Sequence, residues 1–377
     1  MLHFEEFLRT APKAELHVHL RGAMPAAFFA ELITRYGPRQ ALSHAPQSHL
    51  DAFERCDNIR PFLASPQGKA PPGKAPQGKA PQGKGIDTLF RYQSFDQFLA
   101  TYLFTSYFVR DISDFRGLVA SVRAFLEKQN IVYAEITVSV FEYLNQGIDL
   151  PDLLAVLDEA SDAPGVRIQW IADLVRNLGP AKVLELLRDI LRHRPASLAG
   201  ITLGGSEHKF PPARFAALYR MAREQGLRLT VHAGEALGPA SVRDAICVLQ
   251  VDRIGHGVRA IEDPSLVSDL AEKQIPLEVC PTSNLWTGVY PSYEAHPLKA
   301  LYEAGVQLSV NTDDPTFFST TLAEEYGHAQ RMGLDEQAVV SIMKNGFHHA
   351  FLPDADRRRY VEQFERHWET FQEAVPR

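Results

Sequence analysis

The sequence predicts an α/β protein built as a TIM-type (β/α)8 barrel, with extra helices forming a lid and a helical C-terminus. Three observations predict it. Eight apolar runs recur along the chain, each followed by a helical pattern. No G-x-G-x-x-G follows the first run, which argues against an open dinucleotide-binding sheet. Histidines and acids gather at the C-terminal ends of the runs, where a parallel barrel carries its chemistry.

Taken in order, a short helix over 3–9 ends at Ala11-Pro12, and the first strand covers 14–20. A helix from about Pro25 to Tyr36 leads into a polar loop through residue 50. Residues 65–84 read SPQGK-APPGK-APQGK-APQGK. Proline and glycine in every pentad oppose helix and strand, and nothing larger than alanine is available to bury. They predict a flexible low-complexity insertion in a surface loop of one domain spanning 1–377, with a basic tether as the alternative. Residues 86–109, carrying Phe90, Phe95, Phe98, Tyr102, Phe104 and Phe108, predict one long helix, and 111–129 a second. The remaining strands are expected over 131–139, 166–173, 198–204, 228–233, 252–256, 275–280 and 306–312. Helices fall between them at 151–160, 180–193, 212–225, 239–249, 264–273 and 297–304, and 318–371 predicts helix throughout.

The chain has 377 residues, 45% of them hydrophobic, enough for a large core. A net charge of -7 disfavours a nucleic-acid surface but leaves room for a small nucleotide-like ligand. Cys56, Cys247 and Cys280 lie far apart with no CxxC, which disfavours a disulfide framework and fits a reducing compartment. The N-terminus, MLHFEEFLRTAPK, lacks a signal-peptide pattern, and no apolar run reaches membrane-spanning length. A cytoplasmic protein acting on a small molecule, with neither nucleic acid nor membrane as partner, is expected.

Alternate residues of a strand point to one side, so His17 and His19 aim two imidazoles at one point. Alone, such a pair also fits a solvated strand face. Other strand ends add His232, His256 and the pair Asp313-Asp314, with Glu235 on the turn after His232. Catalytic zinc takes nitrogen and carboxylate ligands with a position left for water, and His17, His19, His232 and Asp313 supply that set. Zinc lowers the pKa of bound water, making a nucleophile at neutral pH. No lysine ends a strand to bridge two metals, so one zinc per chain is expected. Glu235 suits a general acid, while His256 and Asp314 stand where they can orient the water and handle its proton. Cys280 is expected to pack. Arg176, after strand three, is expected to assist the site or to form a structural ion pair.

The motifs PKAELHVHL (residues 12–20), VHAGE (231–235), RIGHG (253–257), EVCPTSN (278–284) and NTDDP (311–315) occur in the order seen in the adenosine deaminase family of the amidohydrolase superfamily, which the chain resembles. The resemblance implies hydrolytic loss of ammonia from a 6-aminopurine at one zinc. It gives Glu235 the protonation of purine N1 as C6 is attacked. His256 is to hold and deprotonate the metal water, and Asp314 to bond the hydroxide and purine N7. Gly205, in LGGSE (203–207), aligns with the glycine that contacts the base, although the family usually has an acid where Ser206 stands. Ser283 and Asn284 are expected to brace the site.

Adenosine deaminases usually carry an acid where this chain has Arg21. A guanidinium accepts no hydrogen bond and offers a fork for carboxylate or phosphate, so an anionic 5′ substituent is expected. Within the resembling family one subgroup deaminates aminodeoxyfutalosine, a menaquinone-pathway adenine nucleoside whose 5′ extension ends in a benzoate, and the resemblance makes it the favoured substrate; AMP-type nucleotides are another anionic option, but no second basic residue clusters near Arg21. Phe98 and Tyr102 on the lid would wall it, with ordinary helix packing as the alternative. Arg21 turned towards a surface acid, an ordinary adenosine deaminase, and an inactive barrel serving as a binding module are the other readings.

Overall fold

The computed structural model describes residues 2–64 and 85–374. The expected insertion at 65–84 lies outside the described residues.

Among the described residues nine short strand segments, all parallel, form the centre: β1 Lys13–His19, β2 Ile131–Val138, β3 Arg167–Asp173, β4 Leu198–Thr202, β5 Arg228–Leu229, β6 His232–Ala233, β7 Ile254–His256, β8 Leu277–Val279 and β9 Leu308–Val310. β5 and β6 are the two halves of the single strand expected over 228–233. Ladder pairing lapses at Thr230-Val231 and divides the ring into runs β1-β2-β3-β4-β5 and β6-β7-β8-β9. Single backbone bonds carry the pairing across the gap: Thr230 N to Ile201 O at 3.0 Å, His232 N to Leu203 O at 3.3 Å, and Gly255 N to Val231 O at 2.9 Å. At the other seam, Asp313 N donates to His17 O at 3.0 Å and His19 N to Asp313 O at 2.9 Å, joining the first strand to the last. Eight staves thus close into one barrel.

Helices cover its outside for the usual reason, an apolar stripe at helical spacing. Pro180–Arg192 buries Val183, Leu186, Leu187 and Ile190, residues at the three- and four-residue intervals that share one helix face. Burying each such side chain contributes roughly 1.5–3 kcal/mol. Ile112–Lys128 starts where the Asp111 carboxylate accepts the Asp114 N–H at 2.9 Å, and buries Phe115, Leu118, Val119, Val122 and Leu126. The N-terminal helix Leu2–Thr10 is clasped by the last one, Asp354–Ala374, with the Phe7 and Trp368 rings 4.7 Å apart.

Two expected helices are shorter than the sequence pattern implied. The long helix over 86–109 is a 3-10 turn, Ile86–Thr88, followed by Phe95–Ser106. The Ser94 hydroxyl accepts the Gln97 N–H at 3.3 Å and begins the second piece afresh. The continuous helix over 318–371 is mainly Leu322–Arg331, Glu336–His348 and Asp354–Ala374. Gly333, at φ 93°, and Pro353 lie in the two breaks.

Charged groups also enter the barrel. Arg253 donates through Nε to Glu278 at 2.6 Å and through Nη2 to Glu135, and Tyr133 OH donates to Glu135 at 2.8 Å. All four are buried. This chain of polar contacts runs through the barrel interior to the strand ends, because Glu278 also binds His17.

Candidate active site

The C-terminal ends of the strands bring His17, His19, His232 and Asp313 together, with one ligand atom of each within 4.8 Å of the others. His17 and His19 share a side because β1 is extended through both. Asp313 follows β9 with φ at 61°, a left-handed turn that an aspartate adopts more readily than most residues. His19 Nε2 lies 3.2 Å from Asp313 Oδ1 and 3.3 Å from His232 Nε2.

The surroundings orient these rings. A carboxylate only accepts, so His17 donates through Nδ1 to Glu278 Oε2 at 2.8 Å, which leaves Nε2 as the nitrogen turned inward. Among the described residues that buried Nε2 has no hydrogen-bond partner. His232 Nδ1 lies 3.3 Å from Thr202 Oγ1, and Ser283 donates to Asp313 Oδ2 at 2.7 Å. Three nitrogens and a carboxylate converging on one buried point, one nitrogen orphaned, have the donor chemistry to hold a divalent cation. Burial opposes charge on His17, yet Asp313 and Glu278 outweigh it and lift His17 to about 10. The same anionic surroundings that hold a proton there would hold a cation.

Glu235, His256 and Asp314 stand around this group. Burial, aided by Asp313 and Glu207, raises the Glu235 carboxyl to about 8. Burial with Asp313 raises Asp314 to about 7, and its buried Oδ1 has no partner. Burial lowers His256 to about 4. His256 Nε2 lies 3.7 Å from Glu235 Oε2 and 3.9 Å from Asp313 Oδ2. Cys280 Sγ comes within 4.8 Å of ligand atoms of His256 and Asp313, but burial and Asp313 push its thiol well up, away from the thiolate a metal would need.

These groups open into a cavity of about 900 Å³. Phe98 and Tyr102, on the lid helix Phe95–Ser106, line one wall, and Gly205 lines another. Gly205 has φ 96°, and a Cβ there would come within 2.3 Å of Asn177 Oδ1, so the position is held by glycine for backbone reasons.

Arg21 does not line the cavity as a free fork. It is buried, donates through Nη2 to Glu142 Oε1 at 2.8 Å, and stacks with its guanidinium carbon 3.6 Å from the Tyr102 ring centre. The cavity meets the Glu142 carboxylate instead. Among the described residues Arg176 forms no hydrogen-bonded ion pair; it is buried and donates to the carbonyls of Leu203 at 2.8 Å and His232 at 2.5 Å. It therefore fixes two strand ends.

Sequence reasoning missed Glu207. Its buried carboxylate accepts the N–H groups of Gly234 at 2.9 Å, Glu235 at 3.2 Å, Ala236 at 2.7 Å and Leu237 at 3.0 Å, and the Ser241 hydroxyl at 2.6 Å. It thereby shapes the turn that presents Glu235. Glu142 and Glu278 were missed as well. For Glu278 a signal existed, an acid inside an otherwise apolar strand, which must find partners when buried.

A family model described as adenosine deaminase matches residues 57–367. An aminodeoxyfutalosine deaminase of Streptomyces avermitilis is 32% identical over 366 residues, covering 95% of this chain and 92% of the relative. An adenine deaminase of Agrobacterium fabrum is 34% identical over 354 residues, covering 93% and 96%. Among solved structures, an adenine deaminase from Arthrobacter aurescens superposes with a TM-score of 0.76 at 24% identity, over 96% of this chain and 100% of that one. An amidohydrolase from Burkholderia ambifaria with bound Zn gives 0.76 at 23% identity, over 99% and 95%.

Proposed function

We propose, because this chain belongs to the adenosine deaminase family, that it removes the 6-amino group of an adenine nucleoside extended at its 5′ carbon, with aminodeoxyfutalosine as the favoured substrate. Water adds at C6 and ammonia leaves. His17, His19, His232 and Asp313 would hold one zinc, which when bound supplies a Lewis acid that lowers the pKa of water.

The chain's own groups do the rest. Glu235, raised to about 8, carries its proton at neutral pH and delivers it to purine N1. Glu207 fixes the turn from which it does so. His256 and Asp314 flank the C6 side and orient the water. The backbone at Gly205 receives the base edge.

The cavity carries the substrate assignment. Its volume of about 900 Å³ is near the upper end of the about 300–1,000 Å³ typical of small-molecule pockets. Phe95 and Leu99, on the lid, are 42% and 46% exposed, an apolar edge that a bare purine would leave in water. The expected cytoplasmic setting and menaquinone-pathway role belong to this proposal. A second reading, deamination of plain adenosine, is favoured by one contact: Glu142 already neutralises Arg21.

The test is a panel of adenine, adenosine, AMP, methylthioadenosine and aminodeoxyfutalosine, followed by loss of adenine absorbance and release of ammonia. The highest kcat/KM is expected for aminodeoxyfutalosine. Adenosine in first place would favour the second reading, and adenine in first place would overturn both.

A further inference from the structure

We infer that His296, acting through Asn284, is a positioning residue that holds His256 in the tautomer with its proton on Nε2. The backbone N–H of Leu298 donates to His296 Nδ1 at 3.2 Å, so that nitrogen is an acceptor. A neutral imidazole then carries its proton on Nε2, and His296 is neutral because burial lowers it to about 3. His296 Nε2 lies 3.1 Å from Asn284 Oδ1, which accepts that proton and fixes the orientation of the amide. Asn284 Nδ2 therefore donates across 3.2 Å to His256 Nδ1. With Nδ1 used as an acceptor, a neutral His256 has its proton on Nε2.

His296, Asn284 and His256 are all buried, so water does not scramble the order of donors. His256 Nε2 is the nitrogen that faces Glu235 and Asp313. His256 thus presents an N–H donor towards Glu235 and Asp313, which orients a water there and replaces the base role that the family resemblance implies for it, and its ring direction is set from a loop outside the cavity. Only the kinetic part of this inference rests on the proposed deamination; the tautomer does not.

The test uses full-length, zinc-loaded protein with isotope-labelled histidine nitrogens, and multiple-bond NMR that reports which ring nitrogen of His256 is protonated. The wild type is expected to show Nε2. Asn284→Asp replaces the amide donor with an acceptor, and is expected to move the proton to Nδ1. It should also lower kcat by about tenfold or more, with KM changed less than about twofold. His296→Leu, which frees the amide to turn, is expected to lower kcat in the same way. His296→Gln keeps an N–H donor and should retain the wild-type tautomer and most of kcat. A wild-type proton on Nδ1, an Asn284→Asp variant still protonated on Nε2, or losses borne by KM would overturn the inference. A wild-type Nε2 proton in a protein that deaminates nothing would sink the proposed function and leave the relay standing.

Discussion

Arg21 and Glu142 bind each other at 2.8 Å across 121 residues of sequence, one buried and the other facing the cavity. Burial and Glu142 together set the state of the guanidinium, which stays charged. Removing one partner of a fully buried ion pair costs about 3–5 kcal/mol, because the other charge is left uncompensated. Glu142 is 27% exposed where it faces the cavity, so Glu142→Ala should lower stability by less than that, read by urea denaturation. The double variant Glu142→Ala with Arg21→Met should recover a large part of the loss. No recovery would show that the two residues are not coupled.

Glu235 links activity to pH. Burial raises its carboxyl from an ordinary 4.5 to about 8, so the acid form persists through neutrality. As the reaction needs that proton, kcat/KM should fall as pH rises through the carboxyl's titration. Glu235→Gln should lose about 10²–10⁴ in kcat. The same shift bears on metal-free stability. A proton held by the folded but not the unfolded chain means that stability falls as pH rises from about 4.5 towards 8. Glu235→Gln should flatten that slope in thermal melts, and an unchanged slope would count against the buried neutral acid.

Glu278 orients His17, and groups in that position tune metal affinity. Glu278→Gln should weaken zinc binding about 10–100-fold, measured by competition with a chromophoric chelator. Zinc should bind less tightly as pH falls, since a proton competes at His17, which is raised to about 10. Chelation should abolish deamination, and added zinc should restore it.

Gly22 leaves no room for a side chain. A Cβ there would fall 1.8 Å from Asp314 Oδ1 and 2.7 Å from its Cα, so both side chain and backbone stand in the way. Gly22→Ala should displace Asp314 and reduce kcat about tenfold or more while the fold survives. Wild-type kcat in a folded Gly22→Ala protein would remove Asp314 from the reaction.

The barrel was legible in the sequence because each strand is a compact apolar run and each helix a periodic one. His17, His19, His232, His256, Asp313 and Asp314 were legible because topology puts strand ends at one mouth. What the sequence hid was pairing over distance. Nothing near Arg21 announces that Glu142 will occupy it, and nothing near Glu235 announces that Glu207 gathers four successive N–H groups around it. Aromatic spacing over 86–109 suggests one helix, but Ser94 inside that run caps a new one at Phe95 and divides it in two.

The seam between β1 and the segment after β9 has a consequence for how the protein comes to exist. Leu16 N–H donates to Asn311 Oδ1 at 2.9 Å across 295 residues, and Asp313 meets His17 and His19 at the same place. A growing chain leaving the ribosome thus carries its first two imidazoles long before their carboxylate is made. Contacts of such separation form late and slowly. A chain stopped before residue 313 therefore lacks the carboxylate that meets His17 and His19.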